Sequence, residues 1–173
     1  MNISPLYYFF NKFSKNTLYF IILYFCINIE TSLKFLVFFE DATPSLLSII
    51  IYLCIRRFSI NLSNFIIFTI GILYDVLLGS NLGISSMFFL LIKFFTEYLN
   101  LRIVYYNYND DWIYFTCIFM SSFFIIFLLH IVINSTIPDF SPVLFHIGVT
   151  LIIFPFIVMS INFVKFITKL VKN

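Results

Sequence analysis

Apolar residues in this chain run in long unbroken blocks, separated by brief polar punctuation rather than alternating with it. A helix needs about 20 apolar residues to cross about 30 Å of hydrocarbon. Six blocks are candidate spans, at residues 16–29, 44–55, 62–78, 82–101, 112–133 and 142–163. The first reaches back toward the aromatic stretch Leu6–Phe10, and the second, the shortest, opens on Pro44 and stops at Arg56-Arg57. The every-second-residue alternation of a membrane β-barrel is missing. The pattern predicts an all-α integral membrane protein, one membrane domain over residues 1–173 with six transmembrane helices.

Composition agrees and narrows the class. Of 173 residues, 62% are hydrophobic and 10% charged, against about 45–50% and about 25% in soluble domains. So few charges cannot clothe a soluble globule of this size. A net charge of +2 without a basic stripe gives no argument for nucleic acid. The phenylalanine and isoleucine bias reads as AT-rich coding. Cys26, Cys54 and Cys117 stand singly in apolar blocks and read as small apolar fillers, not ligands.

The basic residues set an expected orientation. With the N-terminus cytoplasmic, Lys12, Lys15, Arg56, Arg57, Arg102, Lys165, Lys169 and Lys172 fall on the cytoplasmic side, eight of the ten Lys and Arg, as the positive-inside rule favours. Both termini are then cytoplasmic. Lys12 and Lys15 precede an apolar block with no small-residue cleavage site after it, so that block is expected to be a retained anchor. The short second span is expected to tilt little, to thin the bilayer locally, or to snorkel Arg56 and Arg57 to the headgroups. Tyr105, Tyr106, Tyr108, Trp112 and Tyr114 are expected to form an aromatic belt at the cytoplasmic interface. The connecting segments are too short to hold a soluble catalytic or binding domain.

The most informative stretch is Gly71-Ile-Leu-Tyr-Asp75-Val-Leu-Leu-Gly79-Ser-Asn-Leu-Gly83. Gly71, Asp75 and Gly79 recur every fourth position and share one helix face, where small residues admit a neighbouring backbone. Gly79-Ser80-Asn81 is turn chemistry and predicts a tight outer hairpin, with Asp75 about 6 Å below it. There its charge costs less than the about 2.5–3.5 kcal/mol of the bilayer centre. The pattern G-x-x-x-D-x-x-x-G-x-x-L-G between two spans resembles the rod shape-determining protein MreD family. Pro44 opening a span that ends on Arg56-Arg57, and Phe154-Pro155-Phe156 in a last span followed by Lys165 and Lys169, agree with that resemblance.

The resemblance implies a non-enzymatic scaffold of the bacterial cell-elongation complex in the plasma (inner) membrane, serving cell shape and lateral peptidoglycan synthesis. Its implied partners are MreC, the actin-like MreB, the glycosyltransferase RodA and a class B peptidoglycan transpeptidase, with no cofactor. The family's fold has been likened to substrate-binding subunits of energy-coupling-factor transporters, a likeness that transfers no ligand.

Gly71, Asp75, Gly79 and Gly83 are therefore the candidate helix-packing or partner face. Asp75 reads as an interaction hot spot, a proton site, or an acid paired within the bundle. Lys93 and Glu97, four apart, form a candidate intramembrane ion pair, with Asp75 as a third member, because charges at that depth are paired or face a cavity. His130 and His146 are expected to face each other near the outer ends of their helices, without the ligand set of a metal site. Glu30, Lys34, Glu40 and Asp41 are expected to form a solvated outer rim. Enzyme classes fail on their residue requirements. Tyr74-Asp75 has no second intramembrane Asp, since Asp139 falls in a loop, and Gly83-Ile84-Ser85-Ser86 lacks the last glycine of a rhomboid-type turn. No zinc helix or phosphate loop occurs. The alternative is a small-solute-binding subunit of an energy-coupling-factor-type transporter, with Asp75, Asn81, His130, Asn134 and His146 toward one outer pocket.

Overall fold

The structure is a computed structural model of the chain. It describes the backbone of residues 5–34, 43–102, 108–134 and 140–172, and the side chains of 16–34, 43–102, 110–132 and 141–162. Among the described residues six helices follow one another: α1 (Pro5–Lys34), α2 (Leu46–Arg56), α3 (Asn64–Leu78), α4 (Ile84–Arg102), α5 (Tyr108–Asn134) and α6 (Phe140–Lys172). No strand occurs among the described residues.

Among the described residues four stretches are long and apolar enough to cross a membrane: Asn16–Lys34, Ile84–Arg102, Asp110–Val132 and Ser141–Asn162. Large apolar side chains cover the outside of the bundle, among them Phe25, Phe65, Leu101, Val132 and Met159, where a soluble protein would place charge. This is the surface of a membrane protein. α2 and α3, with 11 and 15 residues, reach only about 16 and 22 Å at 1.5 Å per residue, less than the about 30 Å of a full hydrocarbon core.

α3 and α4 form an antiparallel hairpin joined at Gly79–Gly83. α1 packs on α2 and α3, α5 on α4 and α2, and α6 on α5. The shortest helix is the most enclosed, with Leu47, Ile49, Ile51, Tyr52 and Leu53 all buried. Its sequence Leu-Leu-Ser-Ile-Ile-Ile-Tyr-Leu-Cys-Ile is apolar all round, which suits a helix surrounded by others.

α2 also stops short. Its last residue, Arg56, donates to Asn100 Oδ1 at 2.6 Å, near the C-terminal end of α4. At the other end, Ser45 shares a cavity with Tyr74, Phe88 and Phe89, residues one turn or more inside the hairpin ends of α3 and α4. The residues before α2, Thr43–Ser45, are irregular backbone, with Pro44 and Ser45 buried in the bundle and the Leu46 N–H donating to the Pro44 carbonyl at 2.9 Å. Irregular backbone there is tolerated only when buried in protein or lining a cavity.

The far end of α2 is tied by polar contacts. Arg56 Nε lies 3.6 Å from Asp111 Oδ1 with both side chains buried, and its guanidinium stands 5.6 Å from the Tyr114 ring centroid. Asn100 also donates to the Ile55 carbonyl at 3.3 Å, and the Tyr52 hydroxyl donates to the Asp111 carbonyl at 3.2 Å. Arg56 therefore does not snorkel. It pairs inward, because Asp111 in the first turn of α5 meets it there. Of the expected aromatic belt, Tyr114 carries this cation and Trp112 bonds to α6, while the side chains of Tyr105, Tyr106 and Tyr108 lie outside the described residues.

Pro155 sits inside α6 and has no N–H to donate to the carbonyl four residues back. That carbonyl belongs to Leu151, and the Trp112 indole N–H of α5 donates to it at 3.2 Å. Phe115 stacks on Phe154 beside this latch, with centroids 4.4 Å apart. Pro155→Ala is expected to restore an intrahelical donor to Leu151 and release the indole. Since Trp112 is the chain's only tryptophan, its fluorescence reports the event directly: the emission maximum should move to shorter wavelength. An unchanged spectrum would refute the latch.

Candidate functional site

The polar groups that matter lie where helices begin. α3 ends on Gly79, whose φ of +66° is the left-handed conformation that favours glycine. The Gly79 N–H donates to the Val76 carbonyl at 3.3 Å and the Ser80 N–H to the Asp75 carbonyl at 3.0 Å, which is a Schellman closure of the helix. Gly83, with φ of +97°, then turns the chain into α4.

The Asp75 side chain completes the turn. It has 0% exposure. Oδ2 accepts the Gly83 N–H at 2.7 Å, and Oδ1 accepts the Ser85 N–H at 3.3 Å and the Ser80 hydroxyl at 3.0 Å. A helix leaves its first N–H groups without intrahelical partners and carries partial positive charge there. Asp75, reaching from the preceding helix, supplies the acceptor and the compensating charge for α4.

One turn further inside, Gly71 lets the two helices touch. A Cβ built on it would lie 2.3 Å from Ser86 Cα and 2.6 Å from Ser86 N. The Ser86 hydroxyl returns a bond to the Phe68 carbonyl at 3.0 Å. Gly71 and Asp75 are thus turned against the chain's own α4, whereas Gly79 lies on the exposed rim of the turn and Gly83 is half-buried.

Glu30 plays for α2 the part Asp75 plays for α4. It is 1% exposed, not part of a solvated rim. Its Oε2 accepts the Leu47 N–H at 2.9 Å, and its Oε1 accepts the Tyr74 hydroxyl at 2.7 Å. Leu47 and Ser85 hold the same position, second in their helices. In both hairpins a carboxylate near the end of one helix caps the start of the next. The expectation failed because α1 runs on to Lys34, placing Glu30 a turn inside the helix end. A lone acid one turn before the stop of an apolar helix was the available signal, the same one that marks Asp75. Glu40 and Asp41 lie outside the described residues, and Lys34 is exposed.

Lys93 Nζ lies 3.5 Å from Glu97 Oε1, with Glu97 partly exposed. The ammonium also donates to the Leu62 carbonyl and to Asn64 Oδ1. Asp75 is not a third member of this group. Lys93 reaches the start of α3, while Asp75 stands 11 residues on, about 16 Å along the helix, and is saturated by its own donors. Lys93→Met should therefore cost about 1–3 kcal/mol for the acceptors it orphans, measured by unfolding in mild detergent. Adding Glu97→Met should change that by less than about 1 kcal/mol, since exposed pairs are weak. A double variant restored to wild-type stability would show the ion pair to be the main interaction.

The two histidines line different cavities. His146 borders one with Tyr74 and Ser85, and His130 another with Leu82 and Met87, the two separated by Ile84 and Ile126. The segment before α2 is pinned from α6: the Ser45 N–H donates to Thr150 Oγ1 at 3.0 Å.

Comparison of the chain with protein-family models, with curated proteins and with solved structures finds no match.

Proposed function

We propose that this protein is a non-enzymatic scaffold of the bacterial cell-elongation complex, resembling the MreD family. It sits in the bacterial plasma membrane with all six helices inserted and both termini cytoplasmic. The observation that supports this reading is the α3–α4 hairpin, where the Gly71–Asp75–Gly79–Gly83 residues that carry the resemblance form one rigid turn. Two of the buried carboxylates, Asp75 and Glu30, are engaged in holding helix starts, an arrangement that serves rigidity rather than bond chemistry.

A scaffold needs a presented surface, and beside this turn the exposed apolar residues are Val76, Leu77 and Leu82. In this reading they meet the membrane helices of MreC, RodA or the class B transpeptidase, with MreB on the cytoplasmic side. The test is co-purification of the tagged chain in mild detergent. MreC, RodA and the transpeptidase should be recovered with wild type and lost with Leu82→Trp, at unchanged thermal midpoint. Recovery of transporter ATPases instead, or of no partner, would overturn the scaffold reading in favour of the solute-binding one.

A further inference from the structure

The start of α2 borders a cavity of about 160 Å³. Its apolar walls include Phe88, Phe89 and Phe123, with Phe88 and Phe123 set edge to face at 6.2 Å between centroids. Four polar residues line it from four different elements: Ser45 before α2, Tyr74 on α3, Ser85 on α4 and His146 on α6. Two of these are already held by other bonds. Tyr74 donates to Glu30, leaving its oxygen as an acceptor. The Ser45 hydroxyl is paired with that of Ser48 at 2.6 Å. These two polar positions are thus fixed before any ligand arrives.

Size and lining select a ligand class. An apolar cavity of about 150 Å³ holds one benzene ring, so this one suits a single six-membered ring and is too small for a larger solute. Few, convergent polar groups in an aromatic wall are the usual make-up of a small-molecule site. The irregular Thr43–Ser45 segment adds a reason for the site to exist. Irregular backbone inside a membrane protein's bundle has to be buried or line a cavity. Here side chains from α1 and α6 hold the start of α2 in place, and the cavity lies against it.

We propose that this cavity binds a small single-ring aromatic or heteroaromatic molecule bearing one hydroxyl or ring N–H. The ring lies among Phe88, Phe89 and Phe123, and its polar edge meets Tyr74, Ser85 and His146. The site does not depend on the elongation reading.

The probe is 4-fluorophenol with the full-length protein in mild detergent, followed by fluorine NMR and by the thermal midpoint. A saturable bound resonance and a midpoint raised by a few degrees are expected, with fluorobenzene binding at least tenfold more weakly. Ser85→Leu fills the cavity while keeping the backbone N–H that meets Asp75, and should abolish the bound resonance. Ile126→Phe fills it from α5 and serves the same purpose should Ser85→Leu not fold. A resonance that does not saturate, binding that survives a folded filling variant, or equal affinity for fluorobenzene would each overturn the proposal.

Discussion

Asp75→Ala should lower the stability of this protein by about 3–5 kcal/mol. The substitution leaves the Gly83 and Ser85 N–H groups without their acceptor, and the Ser80 hydroxyl with only the backbone carbonyl of residue 75, at 3.4 Å. A buried donor left unpaired costs about 1–3 kcal/mol, and the lost charge at the start of α4 adds about 0.3–1 kcal/mol. Asp75→Asn should fall between, at about half that loss. Its amide oxygen keeps one set of acceptor lone pairs, but its NH2 now faces a donor. Ser80→Ala removes a single bond near the rim of the turn and should cost about 1 kcal/mol or less. The measurement is unfolding in mild detergent followed by far-ultraviolet circular dichroism. Its expected order of stability is wild type, Ser80→Ala, Asp75→Asn, Asp75→Ala. Asp75→Asn as stable as wild type would show that the carboxylate is not the cap. The loss should be global, because α4 packs against α2, α3 and α5 and its first turn is held by this one side chain.

How far the sequence could be read depends on which force sets each feature. Hydrophobic blocks announce helices without reference to any partner, so the six apolar stretches and the six helices correspond closely. The turn was readable for a similar reason: Gly79 adopts positive φ in a Gly-Ser-Asn step that selects such geometry locally. Polar pairing was readable only where it is local: Lys93 and Glu97, four apart on one helix, do pair at 3.5 Å, whereas partners from elsewhere in the chain were not readable. Arg56 meets Asp111 across 55 positions of chain, and nothing near Arg56 tells it to turn inward rather than to a headgroup. Lys93 has a long flexible stem, and its direction is decided by free acceptors at Leu62 and Asn64, which only the fold places there. The depth of α2 follows from where its ends are tied rather than from its own residues. Glu30 was missed through an error of a single turn, since a helix ending at Ile29 would put it in water and one ending at Lys34 puts it inside.

The chain's four glycines allow the packing account to be tested by rank. A methyl group at Gly71 would stand 2.3 Å from Ser86 Cα, and two of its three nearest atoms are backbone. No rotamer change relieves such a contact, so α3 and α4 must separate. Overpacking of this kind costs about 1–3 kcal/mol and occasionally more, only partly offset by the about 1 kcal/mol by which alanine favours a helix over glycine. Parting the helices also pulls Asp75 from Gly83 and Ser85 one turn away, which places Gly71→Ala at about 3 kcal/mol, the upper end of that range. Gly79→Ala meets no neighbour within 4 Å, but its φ of +66° should cost about 1–2 kcal/mol in left-handed strain. Gly148→Ala meets open space within α6 and should be neutral or stabilising by up to about 1 kcal/mol. The unfolding midpoints should thus rise from Gly71→Ala through Gly79→Ala and wild type to Gly148→Ala. Ser86→Gly should fail to rescue Gly71→Ala, because it removes the hydroxyl and leaves the obstructing backbone in place. Full rescue by Ser86→Gly, or Gly71→Ala more stable than Gly79→Ala, would mean that α3 and α4 do not meet at Gly71 and that its place in the motif has another cause.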